Sequence, residues 1–461
     1  MRVISALAIL ISVLTALVNL YIYTYPSLNA ENCSWKHQKH QKHSYLEDVF
    51  EQYAHTKKGY SKASNGANST SEVADIRLLA IGDPQINGNW PSTKYIKRLD
   101  NYGNDYYLGH IYQVMKRRLQ PSHVAVMGDL FSSQWISDSE YYNRTRRFIT
   151  RLFPGPEEYT AYNLDFVNKH EDVDWVSHMH WFQKTLEEGG FKGPDQYDFQ
   201  NIYDWTEHQL ADEPLFINLT GNHDIGYGDT TYQHMTRFRR LFGKDNYWIE
   251  YGAGTDHAWR IVVLNSLALD GPSAQPEFLD YTWQFVETLR ERPFEGSTIL
   301  LTHIPFYKRE GLCRDGPFSE LYTPENAVGA YAIGKLKSEN HLQYETSQRV
   351  LSAVFTSGKP GIVMTGHDHE GCENYYNLSP EGEWYASKEV EADVHIKEIT
   401  VRAIMGEFGG NTGIMTGHFD EDAKQWEFDY TLCPFIVQHV WWAAQIGLLL
   451  SVLLVSGALL F

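Results

Sequence analysis

A chain of 461 residues with 39 lysines and arginines against 58 aspartates and glutamates carries a formal charge of −19. That balance speaks against nucleic-acid binding, which draws on basic surface to displace counterions, and suits a protein that holds cations. Hydrophobic residues make up 43% of the chain, enough for one large core or two ordinary ones.

Both ends are apolar. Residues 3–25 (VISALAILISVLTALVNLYIYTY) hold no charge, and about 23 such residues can cross a bilayer with some tilt. A secretory signal would be shorter and would close on small residues. Here Tyr and Pro follow, so 1–27 reads as an uncleaved anchor. Residues 436–461 form a second membrane span, with Trp441 and Trp442 where an interfacial aromatic belt belongs.

Residues 28–72 are polar (KHQKHQKHS, SKASNGANSTSE) and read as a linker. His37, His40 and His43 recur every three residues, a spacing open to metal binding, but the setting favours a solvated juxtamembrane stretch. Lys36, Lys39 and Lys42 follow the first span and, alone, would keep the middle of the chain in the cytosol. Long domains translocate largely regardless of such charges. The sequons at Asn32, Asn68, Asn143 and Asn377 favour a lumenal domain. A fifth, at Asn218, lies in a strand-like run and is expected to be buried and unmodified. Four cysteines permit disulfides. Cys33 and Cys433 each flank a span, and whether they pair with each other stays open.

Residues 73–432 read as strand, loop and helix in repetition. IRLLAIGD, HVAVMGD, PLFINLTGNHD, WRIVVLNS, STILLTHIP and GIVMTGHDH are short apolar runs that end in glycine or polar residues. Helical patterns lie between several of them, which predicts an α/β architecture with chemistry at the carboxyl ends of the strands. The stretch 133–213 reads as a largely helical insertion that borders the substrate or simply packs.

The strand tips, in order, are Asp83 and Gln85; Asp129; Asn222, His223 and Asp224; His303; then His367 and His369. One such tip means little, but five of these types point to a metal site. Two divalent cations about 3.5–4 Å apart need a bridging anion, neutral imidazoles and oxygen ligands. An aspartate can bridge with its two oxygens.

This order resembles the calcineurin-like metallophosphoesterase superfamily, whose pattern is D-x-H, GD, GNH-D/E, H, GH-x-H. The likeness implies a double β-sheet sandwich flanked by helices. Carried over residue by residue, Asp83, Gln85, Asp129 and His369 would hold one ion. Asp129, Asn222, His303 and His367 would hold the other. His223 would be the general acid, oriented by Asp224. The departure is Gln85, where the superfamily has histidine; an amide oxygen is a harder donor and should favour Mn²⁺. DPQ, HIPFYKREGLC, SQRVL and GHDHEGCE narrow the likeness to the endoplasmic-reticulum phosphodiesterases that remodel GPI anchors. That subfamily implies a membrane span at each end, a lumenal catalytic domain and a Cys313–Cys372 disulfide. It also implies removal of ethanolamine phosphate from a mannose of the GPI glycan, on a glycolipid or a GPI-anchored protein at the lipid surface. Lys308, Arg309 and Arg314 are candidates for contact with an anionic substrate, or plain surface charges. Other readings are a membrane-anchored phosphatase for another phosphoester, of a phosphoprotein or a lipid, and a non-catalytic cargo-handling protein with a vestigial site.

Overall fold

Alternate residues of β1 feed two different cores, and that alternation sets the layering. The computed structural model describes residues 2–37, 49, 73–90, 92–169, 174–188, 213–355 and 357–460. Helix α1 (Arg2–Leu28) is followed by β1 (Ile76–Ile81), α2 (Tyr95–Leu119) and β2 (His123–Val126). The stretch expected to be an insertion is helical where described: α3 (Asp138–Arg147), a π-turn at Phe148–Leu152, α4 (Glu157–Asn168) and α5 (Trp175–Glu187). Then come β3 (Leu215–Asn218), α6 (Tyr232–Phe242), β4 (Tyr247–Tyr251), β5 (Trp259–Val263), α7 (Pro276–Glu291) and β6 (Ser297–Leu301). A small hairpin of β7 (Ser319–Leu321) and β8 (Leu336–Glu339) precedes α8 (Tyr344–Val354) and β9 (Gly361–Thr365). The chain closes with β10 (Cys372–Leu378), β11 (Trp384–Ser387), β12 (His395–Thr400), β13 (Asn411–Asp420), β14 (Gln425–Pro434) and α9 (Gln438–Leu460).

The strands form two sheets, ordered β14-β13-β1-β2-β3 and β11-β10-β12-β9-β6-β5-β4. Successive side chains of a strand face opposite sides. Leu78 and Ala80 of β1 therefore enter an inner core between the sheets with Ile261, Ile299, Ile362 and Met415. Leu79 and Ile81 enter an outer core with Leu108 and Ile111 of α2. Strands covered on both faces read as unbroken apolar runs, which is why β1, β2, β6 and β9 stand out in the sequence. The expected double-sheet sandwich flanked by helices is what forms. β1, β2 and β3 are parallel, as are β5, β6, β9 and β12. Their carboxyl ends share one end of the sandwich.

Helices α1 and α9 are long and apolar enough to cross a membrane. They pack on each other: a Cβ on Gly447 would meet Thr15 Oγ1 at 2.6 Å, and Ser451 Oγ donates to Thr15 Oγ1 at 3.2 Å. β14 leads into α9 from the site end, since Pro434 pairs with Asn411 while Ala80 pairs with Gly413 nearby on β13. A Cys33–Cys433 disulfide ties the end of α1 to the same place, and Cys313 pairs with Cys372. His37 bonds Asp429 and stacks on His418; His40, His43 and most of the 28–72 linker lie outside the described residues.

Candidate metal centre

Four of the seven candidate ligands, Asp83, Asp129, Asn222 and His367, directly follow a glycine that the packing demands. A Cβ on Gly221 would run into the backbone nitrogen and side chain of Asp129, and one on Gly366 would stand 2.6 Å from Met127 O and 3.1 Å from Asp83 Oδ1. The loops meet so closely that only a hydrogen fits. Asp83, Gln85, Asp129 and His367 all take positive φ, at 34°, 40°, 48° and 73°. Such backbone costs on the order of 1–3 kcal/mol per residue and persists where the surroundings over-determine it. The strain aims four side chains inward from three turns.

Asp83, Asp129 and His303 offer ligand atoms within 4.8 Å of one another, all buried. His303 Nδ1 lies 2.7 Å from Met127 O, and His367 Nε2 lies 2.9 Å from Glu339 O. A carbonyl only accepts, so each of these nitrogens carries the hydrogen. The inward nitrogens, His303 Nε2 and His367 Nδ1, are then bare lone pairs. Both face Asn222 Oδ1, at 3.1 and 3.0 Å, and His303 Nε2 is 3.5 Å from Asp129 Oδ1. Four acceptors converge with no proton between them, an arrangement that fits a cation.

On the other side of Asp129, Gln85 donates its amide N–H to Asp129 Oδ2 at 2.9 Å and lies 3.2 Å from His369 Nε2. The residue stands where the sequence placed it, but with its nitrogen inward; an oxygen ligand requires a half-turn of the amide plane. His369 rests edge-on against Phe408, ring centroids 5.0 Å apart.

Burial, then the Asp129 charge, push the Asp83 carboxyl well above the usual carboxylate range. Burial raises Asp129 too, but His303 and His223 outweigh it and hold Asp129 below its ordinary value. Burial lowers His303 and His369, and brings His367 down to about 3. The centre therefore holds neutral imidazoles and a pair of carboxyls that cannot comfortably both ionise. Divalent cations fit that donor set: they would restore the second carboxylate and take up the inward lone pairs.

His223 is half-buried at the rim; its backbone N–H donates to Asp129 Oδ1 at 2.8 Å, and its ring Nε2 is 3.8 Å from Asp129 Oδ2. Asp224 departs from expectation. Its carboxylate accepts the N–H groups of Gly221, Leu130 and Phe131 at 2.9–3.1 Å. It locks the two loops that carry Asp129 and His223 and so holds the His223 backbone rather than its ring. Lys308 is no substrate contact: it is buried against Glu398 and donates to Phe306 O. Arg314 is exposed and paired with Glu370, and Arg309 is exposed. Asn377 is a correction among the sequons. It is fully buried, donates to Ser387 and Glu389, and accepts from Glu391 and Ala392, so this fold leaves no room for a glycan. Asn32 and Asn143 are exposed, Asn218 is half-buried in β3, and Asn68 lies outside the described residues.

No protein-family model matches the chain. Protein TED1 of Saccharomyces cerevisiae is 50% identical over 461 residues, spanning 97% of this chain and 96% of that one. Cell division control protein 1 of the same yeast is 25% identical over 271 residues, 57% of this chain and 50% of its own. Metallophosphoesterase 1 of Pongo abelii is 22% identical over 353 residues, 68% of this chain and 64% of its own. A solved 5′-nucleotidase structure from Staphylococcus aureus with alpha-ketoglutarate overlaps 81% of this chain and 58% of that one, at 13% identity and a TM-score of 0.33, too loosely to bear on the fold. With TED1 aligned nearly end to end and the ligand loops assembled around one buried carboxylate pair, the chain belongs to the calcineurin-like metallophosphoesterases, in the group that holds Protein TED1, Cell division control protein 1 and Metallophosphoesterase 1.

Proposed function

We propose that the chain is a lumenal phosphodiesterase of the endoplasmic-reticulum membrane that removes ethanolamine phosphate from a mannose of the GPI glycan, using two divalent ions with Mn²⁺ favoured. The observation that carries the reading is the placement of the ligand loops at the end of the sandwich from which α9 leaves and to which Cys33 ties α1. A glycan that hangs from a lipid stays close to the bilayer surface, and two anchors confine enzyme and substrate to one thin layer.

Asp83, Gln85, Asp129 and His369 would hold one ion, and Asp129, Asn222, His303 and His367 the other. Bound there, divalent ions supply Lewis acidity and ease the deprotonation of water near neutral pH. The remaining work falls to side chains. Asp129 reaches both halves of the centre, and the Met127 and Glu339 carbonyls keep the His303 and His367 lone pairs pointing inward. His223, half-buried at the rim, would give a proton to the departing mannose oxygen. Asp224 fixes the loop that carries it. The vestigial reading expects several ligands to be missing, and all seven candidate ligand positions retain a donor.

The deciding experiment is mass spectrometry of GPI glycans from cells lacking the chain, complemented with the wild type or with Asp129→Asn. Ethanolamine phosphate retained on one mannose in the Asp129→Asn cells, and absent after wild-type complementation, is expected. Identical glycans in all three lines would overturn the substrate.

A further inference from the structure

Helix α2 begins outside the body of the protein. From Lys94 to Asp100 every residue is exposed, on all faces of the helix, and Tyr95 and Ile96 are 79% and 81% exposed. Trp90, Leu99, Tyr102 and Tyr106 extend this surface. A water-facing helix end does not ordinarily carry Tyr, Ile, Leu and Tyr together, and such a patch marks an interaction surface.

The contacts of α2 with the two spans say where that end points. Trp35 donates its indole N–H to Leu119 O, and Arg118 bonds Ser27 and Cys33 O. One to three turns earlier, His110 meets Ile22 O at 3.0 Å and stacks edge-on against Tyr23. Earlier still, Tyr107 donates to Ile436 O and packs against Trp441, and Gly103 has Trp442 where a Cβ would stand. Residue numbers on α1 fall along this path and those on α9 rise. Both directions lead from the catalytic domain into the apolar spans. The N-terminal end of α2 therefore advances toward the bilayer beside α1 and α9. Ile96 lies about 10 Å further along the helix axis than Gly103, which already touches the Trp442 of the aromatic belt.

We infer that the first turns of α2, Tyr95 through Tyr106, together with Trp90 and Lys94 ahead of them, form a third membrane contact: a monotopic element seated in the phospholipid interface between the two spans and the metal centre. Its chemistry suits that occupant. Tyr and Trp settle at the headgroup level, Ile96 and Leu99 reach below it, and Lys94, Lys97 and Arg98 stand at lipid phosphate height. The patch is continuous with the two spans. It also continues from the loop that carries Asp83 and Gln85, so insertion would set the depth of the metal centre. On the far rim, Phe408 packs against His369 while Gly406 of the same loop abuts Gln438, the first residue of α9. The inference rests on the two spans and not on the identity of the substrate.

The test uses the full chain in vesicles of phosphatidylcholine and phosphatidylinositol. All four native cysteines lie in disulfides, so a thiol-reactive fluorophore on Ile96→Cys labels one place. A second label on Tyr102→Cys and a control on Glu421→Cys, an exposed turn at the opposite end of the sheet, complete the set. Lipid-borne spin quenchers should quench the position-96 label several-fold more than the position-421 label, with position 102 between them. Iodide in the buffer should give the reverse order. Equal iodide quenching at 96 and 421 would overturn the inference. So would shielding of position 96 from both quenchers, which would mean a protein covers it.

Discussion

At the scale of single residues, Gln85 would decide the character of one half of the proposed centre. Its amide N–H now bridges Asp129 and His369. To serve an ion it must surrender both contacts and present an oxygen, which binds a soft-leaning ion such as Zn²⁺ poorly. Gln85→His should therefore raise zinc retention in that half by on the order of tenfold or more. The measurement is metal content after graded chelation; an unchanged zinc profile would show that Gln85 lies outside the coordination. His223→Gln should behave in the opposite way, leaving metal content intact and cutting turnover by about 10²–10⁴-fold, as loss of a positioned acid does. Ion loss in that variant would make His223 a ligand. The candidate ligand positions were legible because they lie in the loops directly after buried apolar strands. The carbonyls of Met127 and Glu339, which fix the imidazole tautomers, were not: any residue type supplies a carbonyl, and only the tertiary fold selects which ones face a histidine. Lys308 was misleading for a related reason, since its partner Glu398 sits on a distant strand.

At the scale of elements, the two sheets are joined by more than apolar packing. His123 of β2 lies 2.9 Å from the Tyr251 hydroxyl of β4, on the facing sheet. Burial holds His123 at about 3. Burial and Arg237 hold His234, which caps the start of α6, at about 3 as well. In the unfolded chain both titrate near 6.5. Between those values the unfolded state binds more protons than the folded one. The stability these groups contribute is thus fully present above about pH 6.5 and is lost as pH falls toward about 3. The contribution of these two histidines to the denaturation midpoint should decline from about pH 7 to about pH 5. His123→Phe should flatten part of that slope, at a cost of about 1–3 kcal/mol near neutrality for the lost Tyr251 contact. A slope unchanged by the substitution would remove His123 from the account. Element types were readable here from period and length. The pairing of β13 with β1 was not, because registers between distant segments leave no local mark. The sequon at Asn377 failed likewise: its triplet is local, but the four partners that bury the amide depend on how β10 and β11 meet the loop after them.

For the whole molecule, the ends matter more than their share of the chain. The Cys33–Cys433 bridge spans 400 residues of sequence. In a soluble chain, closing so long a loop would be worth about 6 kcal/mol by the entropy argument. Here α1 and α9 already hold the ends close, through the bilayer and through the Thr15–Gly447–Ser451 contact. The denatured chain then has less freedom for the bridge to remove, so Cys33→Ser with Cys433→Ser should cost well under that figure. Gly447→Leu would drive a side chain into Thr15 and pry the helices apart, and the bridge should then matter more. The two changes together should destabilise the protein by more than the sum of their separate effects, a coupling of about 0.5–3 kcal/mol. Denaturation midpoints of the four chains in one bilayer composition measure it. Additive losses would mean that the spans act independently, each holding the catalytic domain by its own end. Coupled losses would mean that α1, α9 and the bridge form one rigid stem, and only a stem of that kind can hold the metal centre at a fixed height above the lipid.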